Sequence, residues 1–247
     1  PASGHLACGD SGAGKMPEPE VLLQYILKEV QYEKDLKGKK ILVTAGPTQE
    51  AVDPVRYLTN HSTGKMGYAL AEAARDAGHE VTLVSGPVAL AVPRGITLVP
   101  VESAAEMAEA VKERAPQMAL VIMCAAVADY RPKRVIDGKM KKSDGSLLIE
   151  FERTEDILAS LGKRKRPGQL LVGFAAETTS LITYASEKLA RKNLDWIAAN
   201  DVSRSDIGFG SDRNAVTLLG SDGSRFEIGP APKFEVALEL LRKITEK

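Results

Sequence analysis

The chain has 247 residues, and 33 acidic residues balance 33 basic ones, so the formal net charge is zero. Surfaces that bind nucleic acids are basic, and this balance argues against DNA or RNA as a partner. The length and the ordinary globular composition allow one large α/β domain or two small ones.

The cysteine content and the apolar runs indicate a cytoplasmic protein. Two cysteines, Cys8 and Cys124, are present, which is too few for a disulfide framework in a chain of this length. The sequence opens without a signal peptide, and no apolar run could span a bilayer, so we expect no membrane contact. Because the first residue is Pro1 rather than Met, we expect a fragment of a longer protein.

The first 37 residues differ in character from the rest. Residues 1–20 are rich in Gly, Ala, Ser and Pro without any period, which predicts a loop. Residues 21–34 carry apolar side chains at helical spacing, which predicts a helix. A charged linker follows, and we place a domain boundary between residues 37 and 38.

From Lys40 onward, short apolar runs alternate with helical patterns. Strands are predicted at 41–45, 80–87, 96–101, 119–126, 147–152, 170–175 and 196–200. Helices are predicted at 62–77, 103–115, 155–164, 180–193 and 232–246. Two apolar runs around Ser221–Ser224 predict a hairpin at 214–229. This order predicts an α/β fold: a Rossmann-like, mostly parallel sheet with helices on both faces, plus a C-terminal β-hairpin.

Two short nucleotide-binding motifs fail on inspection. GDSGAGK at 9–15 has the spacing of a P-loop, but Met16 stands where a Ser or Thr must bind magnesium. The G-x-G-x-x-G fingerprint of dinucleotide-binding enzymes is missing after the strand at 41–45, where the loop is far longer than that turn. The first observation argues against a P-loop nucleotide site, and the second argues against a nicotinamide-dependent enzyme.

The long loop after residue 45 runs directly into a helix start, through Asn60-His61-Ser62-Thr63-Gly64-Lys65-Met66-Gly67. Unpaired N–H groups and the helix dipole attract phosphate or carboxylate there, which makes Ser62 and Gly64 candidate phosphate-binding residues. A plain capping sequence explains the same residues about equally well, with Ser62 or Thr63 as the cap and glycines for helix–sheet packing.

A basic run, Lys139-Met140-Lys141-Lys142, follows the fully apolar strand at 119–126. It is either a solvated loop or part of a mobile flap, residues 129–142, that carries cations over a triphosphate. Because open α/β sheets bind ligands beyond the carboxyl ends of their strands, the position of this run favours the flap.

Five separated segments resemble the phosphopantothenoylcysteine synthetase half of the bacterial and archaeal coenzyme A biosynthetic flavoprotein. They are GPTQEAVDPVRYLTNHSTGKMG (46–67), CAAVADYRP (124–132), KMKK (139–142), GFAAET (173–178) and KNLDWIAANDV (192–202). The resemblance implies that CTP, with Mg²⁺, activates 4′-phosphopantothenate as an acyl-cytidylate and releases pyrophosphate. L-cysteine then attacks to give phosphopantothenoylcysteine and CMP.

The resemblance also implies residue roles. Lys139 matches the lysine that is needed to form the acyl-cytidylate, and Asn60 matches the asparagine that handles this intermediate when cysteine attacks. Arg56 matches a further position of that step, and Asp129 is a candidate magnesium ligand. The nucleotide contacts map to Met123, Cys124, Ala125, Asp129, Lys139, Glu155, Asp156, Ile157, Leu158, Phe174, Lys188 and Lys192. The chain departs from the family pattern at Glu155, where the family has Pro.

Residues 1–20 resemble the end of the decarboxylase half that precedes the synthetase in the fused protein. There this segment forms a clamp over the substrate, and Cys8 matches its proton-donating cysteine. Residues 1–37 are therefore interpreted as the decarboxylase remnant with a linker helix, and residues 38–247 as the synthetase domain. We expect neither decarboxylation nor bound flavin mononucleotide (FMN) from this chain alone, since FMN belongs to the decarboxylase half of the full-length protein.

Three alternatives stay open at this point. ATP could replace CTP in the same ligase, the sheet could serve an NADPH-dependent oxidoreductase, or the domain could sense a nucleotide without catalysis. The family also implies a homodimer, for which the hairpin at 214–229 is a candidate contact.

Overall fold

The computed structural model describes residues 2–5, 11–16, 19, 22, 38–141, 146–177, 181–201 and 210–246. Near the N-terminus, strands β1 (Ala2–His5) and β2 (Ser11–Lys15) pair as an antiparallel hairpin. The loop predicted for residues 1–20 is therefore wrong at these positions, because Gly, Ala and Ser have low strand propensity and the pairing comes from the backbone. Cys8 and most of the helix predicted at 21–34 lie outside the described residues.

The remaining elements follow in chain order. The strands are β3 (Lys40–Ala45), β4 (Gln49–Ala51), β5 (Tyr57–Thr59), β6 (Glu80–Ser85), β7 (Thr97–Pro100), β8 (Leu120–Met123), β9 (Tyr130–Pro132), β10 (Phe151–Arg153), β11 (Leu170–Glu177), β12 (Trp196–Asp201), β13 (Arg213–Gly220) and β14 (Arg225–Pro232). The helices are α1 (Lys65–Asp76), α2 (Ala104–Arg114), α3 (Ile157–Lys163), α4 (Leu181–Arg191) and α5 (Lys233–Thr245), with a 3-10 turn at Ala115–Gln117.

Eight of these strands form the central sheet, in the order β14-β13-β12-β11-β8-β3-β6-β7. The six strands from β12 to β7 are parallel to one another, and the hairpin β13–β14 extends the sheet beyond β12, with β13 antiparallel to β12. Counted along the chain, the parallel strands have the order 3-2-1-4-5-6, which is that of the Rossmann fold. The predicted fold class is confirmed, including the C-terminal hairpin.

Each face of the sheet has its own apolar core. On β3, Ile41 and Val43 pack with α1 and α5, while Leu42 packs on the opposite face with α2, α3 and α4. A strand that is buried on both faces needs an uninterrupted apolar run, which is why ILV stood out in the sequence. Among the residues that the structure describes, no helix is long and apolar enough to cross a bilayer.

Two small antiparallel pairs lie beside the main sheet. The loop between β3 and α1 contains the β4–β5 pair, and the flap contributes β9 to a pair with β10. The sequence did not predict β4, β5 or β9, and the strand predicted at 147–152 is observed at Phe151–Arg153. Strands of three residues are too short to show a period of two, so pattern analysis misses them.

Helix α1 begins differently from the prediction. Its N-cap is Gly64, with φ of 77°, and no described side chain caps it. Ser62 instead accepts a hydrogen bond at Oγ from the Gly64 amide, at 3.3 Å. The expected cap by Ser62 or Thr63 is therefore wrong, because a left-handed backbone at the cap position favours glycine.

A substitution at Gly67 tests how closely α1 packs against β3. Alanine is normally about 1 kcal/mol better than glycine inside a helix. A Cβ at position 67 would lie 2.5 Å from the Ala45 Cβ and 2.9 Å from the Thr44 carbonyl oxygen. We therefore expect Gly67→Ala to lower the free energy of unfolding by about 1–3 kcal/mol. The measurement is the denaturant midpoint at an unchanged m value.

The matched control is Gly138→Ala, because a Cβ there meets no atom within 4 Å. It should change the unfolding free energy by less than about 0.5 kcal/mol. An unchanged or raised midpoint for Gly67→Ala would contradict the close approach of helix and strand.

Candidate active site

A cleft opens where β3 and β8 end side by side. These adjacent parallel strands occupy the point at which the strand order reverses, the place where open α/β sheets bind ligands. The cleft has a volume of about 270 Å³ and is lined by the start of α1, residues 123–129, the start of α3 and the ends of β11 and β12. The sheet topology therefore selects this cleft as the candidate active site.

The buried Thr44 hydroxyl shapes the floor of the cleft. Its Oγ1 accepts hydrogen bonds from the amides of Cys124 at 3.1 Å and Ala125 at 3.0 Å. Because these amides bond to a side chain, the strand predicted at 119–126 ends at Met123 instead. The chain after β8 is thereby held against the end of β3.

The loop between β3 and α1 is fastened to the same segment. Thr48 Oγ1 accepts a hydrogen bond from the Ala128 amide at 3.0 Å, and the Ala126 amide donates to the Gly46 carbonyl at 2.9 Å. Asn60 Nδ2 donates to the Ala126 carbonyl at 3.0 Å. The exposed Asn60 side chain is thus held at the edge of the cleft rather than within its lining.

The start of α3 brings two oppositely charged residues together. Asp156 caps α3 by accepting from the Ala159 amide at 3.0 Å, and it accepts from Lys192 Nζ at 2.8 Å. Burial disfavours the Asp156 anion, but these hydrogen bonds outweigh it, and the pKa of Asp156 lies below its usual value. The ion pair therefore fixes the position of the Lys192 side chain at the cleft wall.

Glu155, at the position where the resembled family has Pro, forms side-chain hydrogen bonds of its own. Its carboxylate accepts from Lys112 Nζ at 2.6 Å and from the Ser160 hydroxyl at 2.7 Å. The Lys112 hydrogen bond is the main reason that the pKa of Glu155 is lowered. The Glu155 side chain joins α2 to α3. A glutamate in place of the family's proline is therefore compatible with an intact cleft wall.

Cys124 contributes a half-buried thiol to the cleft. Burial raises the pKa of this thiol to about 12, against the opposing effect of the nearby Lys233. Since a thiol of that pKa is protonated at neutral pH, Cys124 is poorly suited to be a nucleophile.

The structure brings most of the predicted nucleotide-binding residues into one cleft, and it places the three predicted catalytic residues outside the lining. The predicted residues that line the cleft are Ser62, Gly64, Met123, Cys124, Ala125, Asp129, Glu155, Asp156, Ile157, Leu158, Phe174, Lys188 and Lys192. Asn60 lies at the edge, as described above. Arg56 and Lys139 lie farther out, on the loop between β4 and β5 and on the flap.

Arg56 holds the flap. It donates from Nε to Asp53 Oδ2 at 3.0 Å, and from Nη2 both to Asp53 and, at 3.0 Å, to the Met140 carbonyl. This guanidinium, together with hydrogen bonds from nearby amides, keeps the pKa of Asp53 well below its usual range. Arg56 therefore reaches the neighbour of Lys139 rather than the cleft.

Two lysines in the lining were missed by sequence reasoning. Lys65 and Lys233 are the first residues of α1 and α5. Lys65 Nζ donates to the Gly210 carbonyl at 3.0 Å and to Asp212 at 2.7 Å, and Lys233 donates to the Ser211 carbonyl. Burial, and then the charge of Lys65, lower the pKa of Lys233. Two helix starts with two ammonium groups favour an anion at this end of the cleft.

The metal prediction concerns Asp129. Its exposed side chain lines the cleft, and the described residues contain no group of three or more His, Cys, Asp and Glu that could hold a metal ion. Mg²⁺ typically takes one or two protein carboxylates and completes its shell with substrate phosphates and water. A single carboxylate in the cleft lining is compatible with that mode of binding.

Comparison with known proteins agrees with this geometry. Residues 36–247 match the family described as DNA/pantothenate metabolism flavoprotein, C-terminal domain. The chain is 51% identical over 247 residues to the coenzyme A biosynthesis bifunctional protein CoaBC of Bacillus subtilis (strain 168), covering 99% of this chain and 61% of the relative. It therefore spans about three fifths of that relative's length.

Solved structures lead to the same family. A crystal structure of the C-terminal domain of CoaBC superposes with a TM-score of 0.72 at 50% identity, covering 85% of this chain and 95% of that one. The DNA/pantothenate metabolism flavoprotein from Streptococcus pneumoniae gives 0.71 at 26% identity, covering 84% and 99%. The resemblance drawn from the sequence is confirmed, and the chain belongs to the DNA/pantothenate metabolism flavoprotein C-terminal domain family.

Proposed function

We propose that this chain is a phosphopantothenate–cysteine ligase of coenzyme A biosynthesis that uses CTP. The observation that carries the proposal is that residues predicted to contact the nucleotide, which are spread in sequence from Ser62 to Lys192, line one cleft at the switch point. The relative from Bacillus subtilis is named for coenzyme A biosynthesis and is bifunctional. We assign the ligase activity to the part of it that this chain spans.

In the first half-reaction, a carboxylate oxygen of 4′-phosphopantothenate attacks the α-phosphorus of CTP, and pyrophosphate leaves with the electrons of the broken P–O bond. The obstacle is the repulsion between an anionic nucleophile and an anionic triphosphate. Lys65, Lys233 and the start of α1 supply fixed positive potential at one end of the cleft, and Lys139 supplies it from the flap. Bound Mg²⁺, with Asp129 as its protein carboxylate, would add charge neutralisation there.

In the second half-reaction, the L-cysteine amine attacks the acyl carbon, CMP leaves, and the amine loses a proton. Asn60 is suited to this step because its Nδ2 is already fixed on the Ala126 carbonyl, at the edge of the segment that lines the cleft. An amide can hold an acyl oxygen without bringing a competing charge.

The alternative oxidoreductase fits less well. A dinucleotide site needs a tight glycine turn after the first strand and an acidic residue near the end of the second. Here the loop after β3 contains the β4–β5 pair, and β6 is followed by Gly86 and Pro87. A non-catalytic nucleotide sensor would use the same cleft, and the assay below separates it from the ligase.

We further propose that residues 38–247 form the ligase unit and that residues 1–37 are the end of a decarboxylase half with its linker. Cys8 would serve as a proton donor in that other half, which also would hold FMN in the full-length protein. An absorption spectrum of the purified chain tests the assignment, since bound flavin would contradict it.

An assay that omits one substrate at a time tests the function. With phosphopantothenate, CTP, Mg²⁺ and cysteine, we expect pyrophosphate, CMP and phosphopantothenoylcysteine in equal amounts. Omitting cysteine should still allow pyrophosphate release, whereas omitting CTP should stop the reaction. ATP in place of CTP decides between the two ligase variants. Tight NADPH binding without CTP binding would support the oxidoreductase, and CTP binding without turnover would support the sensor.

Two variants should separate the half-reactions. Lys139→Gln removes the cation that the flap brings to the triphosphate, so pyrophosphate release without cysteine should fall by about 100-fold or more. Asn60→Asp should still release pyrophosphate but should stall amide formation, because a carboxylate repels the acyl-phosphate oxygens. Mass spectrometry of the quenched reaction should then detect the trapped acyl-cytidylate.

Lys163→Gln is the matched control, since this exposed lysine ends α3 away from the cleft lining. It should leave both half-reactions unchanged. Normal turnover by the Asn60 variant would make the role of Asn60 untenable.

We also propose a homodimer, with a contact different from the hairpin at 214–229. Most of the exposed large apolar side chains among the described residues lie in or beside the β4–β5 and β9–β10 pairs. They are Val55, Tyr57, Leu58, Tyr130, Val135, Ile136, Leu147, Leu148 and Phe151. The two pairs adjoin each other through β4 and β9, and exposed apolar side chains grouped in this way are typical of a protein contact.

Light scattering should therefore give twice the chain mass of 26.5 kDa. Leu58→Asp should shift the chain to the monomer, because it places a charge in the apolar contact. Ser221→Asp, at the turn of the C-terminal hairpin, should leave the dimer intact. The reverse pattern would return the contact to the hairpin.

A further inference from the structure

The loop between β4 and β5 contains a carboxylate that none of the site assignments uses. The Asp53 side chain has 0% exposure. It accepts five hydrogen bonds from described donors: at Oδ1 from the amides of Val55 and Arg56, both at 2.8 Å, and at Oδ2 from Arg56 Nε at 3.0 Å, from Arg56 Nη2 and from the Met140 amide at 3.1 Å. These bonds engage both oxygens fully, since a carboxylate has about four lone-pair sites.

The two oxygens have different tasks. Oδ1 closes a local turn, because it binds the amides two and three residues ahead, as Asp often does. Oδ2 instead binds the guanidinium of Arg56 and the flap residue Met140, which is 87 residues away in sequence. Only the second task joins separate parts of the molecule.

The flap is fixed at Met140 from both sides of that residue. Its amide donates to Asp53, and its carbonyl accepts from Arg56 Nη2 at 3.0 Å. A further bond joins the Ile136 amide to the Val52 carbonyl at 3.1 Å. The main chain next to Lys139 is therefore set by an ion pair in another loop.

A negative charge is essential to this arrangement. Oδ2 receives three N–H donors, and two of them belong to a cation. An amide at position 53 offers a single oxygen and would direct its own N–H groups toward at least one set of these donors. Charge-assisted pairs with a guanidinium are also the stronger and more directional hydrogen bonds in proteins.

We propose that Asp53 is a positioning residue for nucleotide activation: through Arg56 and Met140 it fixes the flap so that Lys139 faces the triphosphate. This inference rests on the proposed ligase function. Asp53 lies apart from the cleft lining and contacts none of the reacting atoms. Arg56, which the resemblance linked to the second half-reaction, then acts on the first as well, by holding the flap.

The experiment uses Asp53→Asn in the full chain and measures pyrophosphate release without cysteine. We expect the rate to fall by about tenfold or more, since small misplacements of a catalytic group carry such penalties. CTP affinity, measured by calorimetry, should stay within about twofold, because the lost interaction matters mainly in the transition state. General damage to the structure would lower affinity and rate together.

A double variant shows whether Asp53 acts through Lys139. If it does, Asp53→Asn combined with Lys139→Gln should be no slower than Lys139→Gln alone, since residues that act as a unit are not additive. Losses that multiply in the double variant would overturn the proposal.

Trypsin cleavage after Lys139 and Lys141, located by mass spectrometry, tests the flap without reference to activity. Asp53→Asn should speed this cleavage by about fivefold or more at an unchanged melting temperature. Glu150→Gln is the control, because it removes only an exposed ion pair with Lys133, which lies in the flap but away from Met140. Equal cleavage rates in the wild type and Asp53→Asn would overturn the proposal.

If Asp53→Asn does not fold, Arg56→Gln takes its place, because it leaves the carboxylate and its local turn intact while removing the guanidinium that binds both Asp53 Oδ2 and the Met140 carbonyl. It should give the same faster cleavage. A wild-type chain without pyrophosphate release would contradict the ligase function alone, since the cleavage arm still decides the position of the flap.

Discussion

The arrangement of this molecule depends on the side-by-side ends of β3 and β8. Parallel strands end at the same edge of a sheet. Here the segments that follow β3 and β8 leave this edge toward opposite sides of the sheet. The buried hydroxyl of Thr44 fixes this divergence, because it accepts hydrogen bonds from two amides of the segment that follows β8, 80 and 81 residues away in sequence. Once residues 124–128 are fixed there, they can hold Asn60, the loop after β3 and the cleft floor.

The fold could be predicted from sequence because its signals are local. A strand buried on both faces must be apolar throughout, and Leu42 between Ile41 and Val43 shows the pattern directly. The start of α1 was mispredicted for an equally local reason: Ser62 and Thr63 are good caps by type, yet the backbone turns left-handed at Gly64. The small strand β9 was missed because three residues carry no period.

The site was predictable only in part, since its contacts are long-range. Lys65 meets Asp212 across 147 residues, and Asp53 meets Met140 across 87. No local sequence pattern predicts such a partner in either segment. Lys233 is the first residue of an ordinary amphipathic helix, and nothing in the sequence around it distinguishes it from a surface lysine. The predicted nucleotide contacts came from the family resemblance instead, and the topology explains why these residues converge on one cleft.

The charged residues of the cleft are mostly held before any ligand arrives. Ion pairs join Lys192 to Asp156, Lys65 to Asp212 and Lys112 to Glu155. Partly exposed pairs of this kind contribute little to folding stability, so their role is better understood as positioning. A cation already held by a carboxylate needs little reorganisation when a triphosphate enters, which is the condition for electrostatic catalysis. Lys139 differs, because its place is set by the main chain of the flap, and the flap is fixed by the ion pair of Asp53 and Arg56. The long loop after β3 therefore does more than replace a glycine turn: it supplies Asn60 to the cleft edge and Asp53 to the flap, which would couple the two half-reactions of the proposed ligase through a single segment.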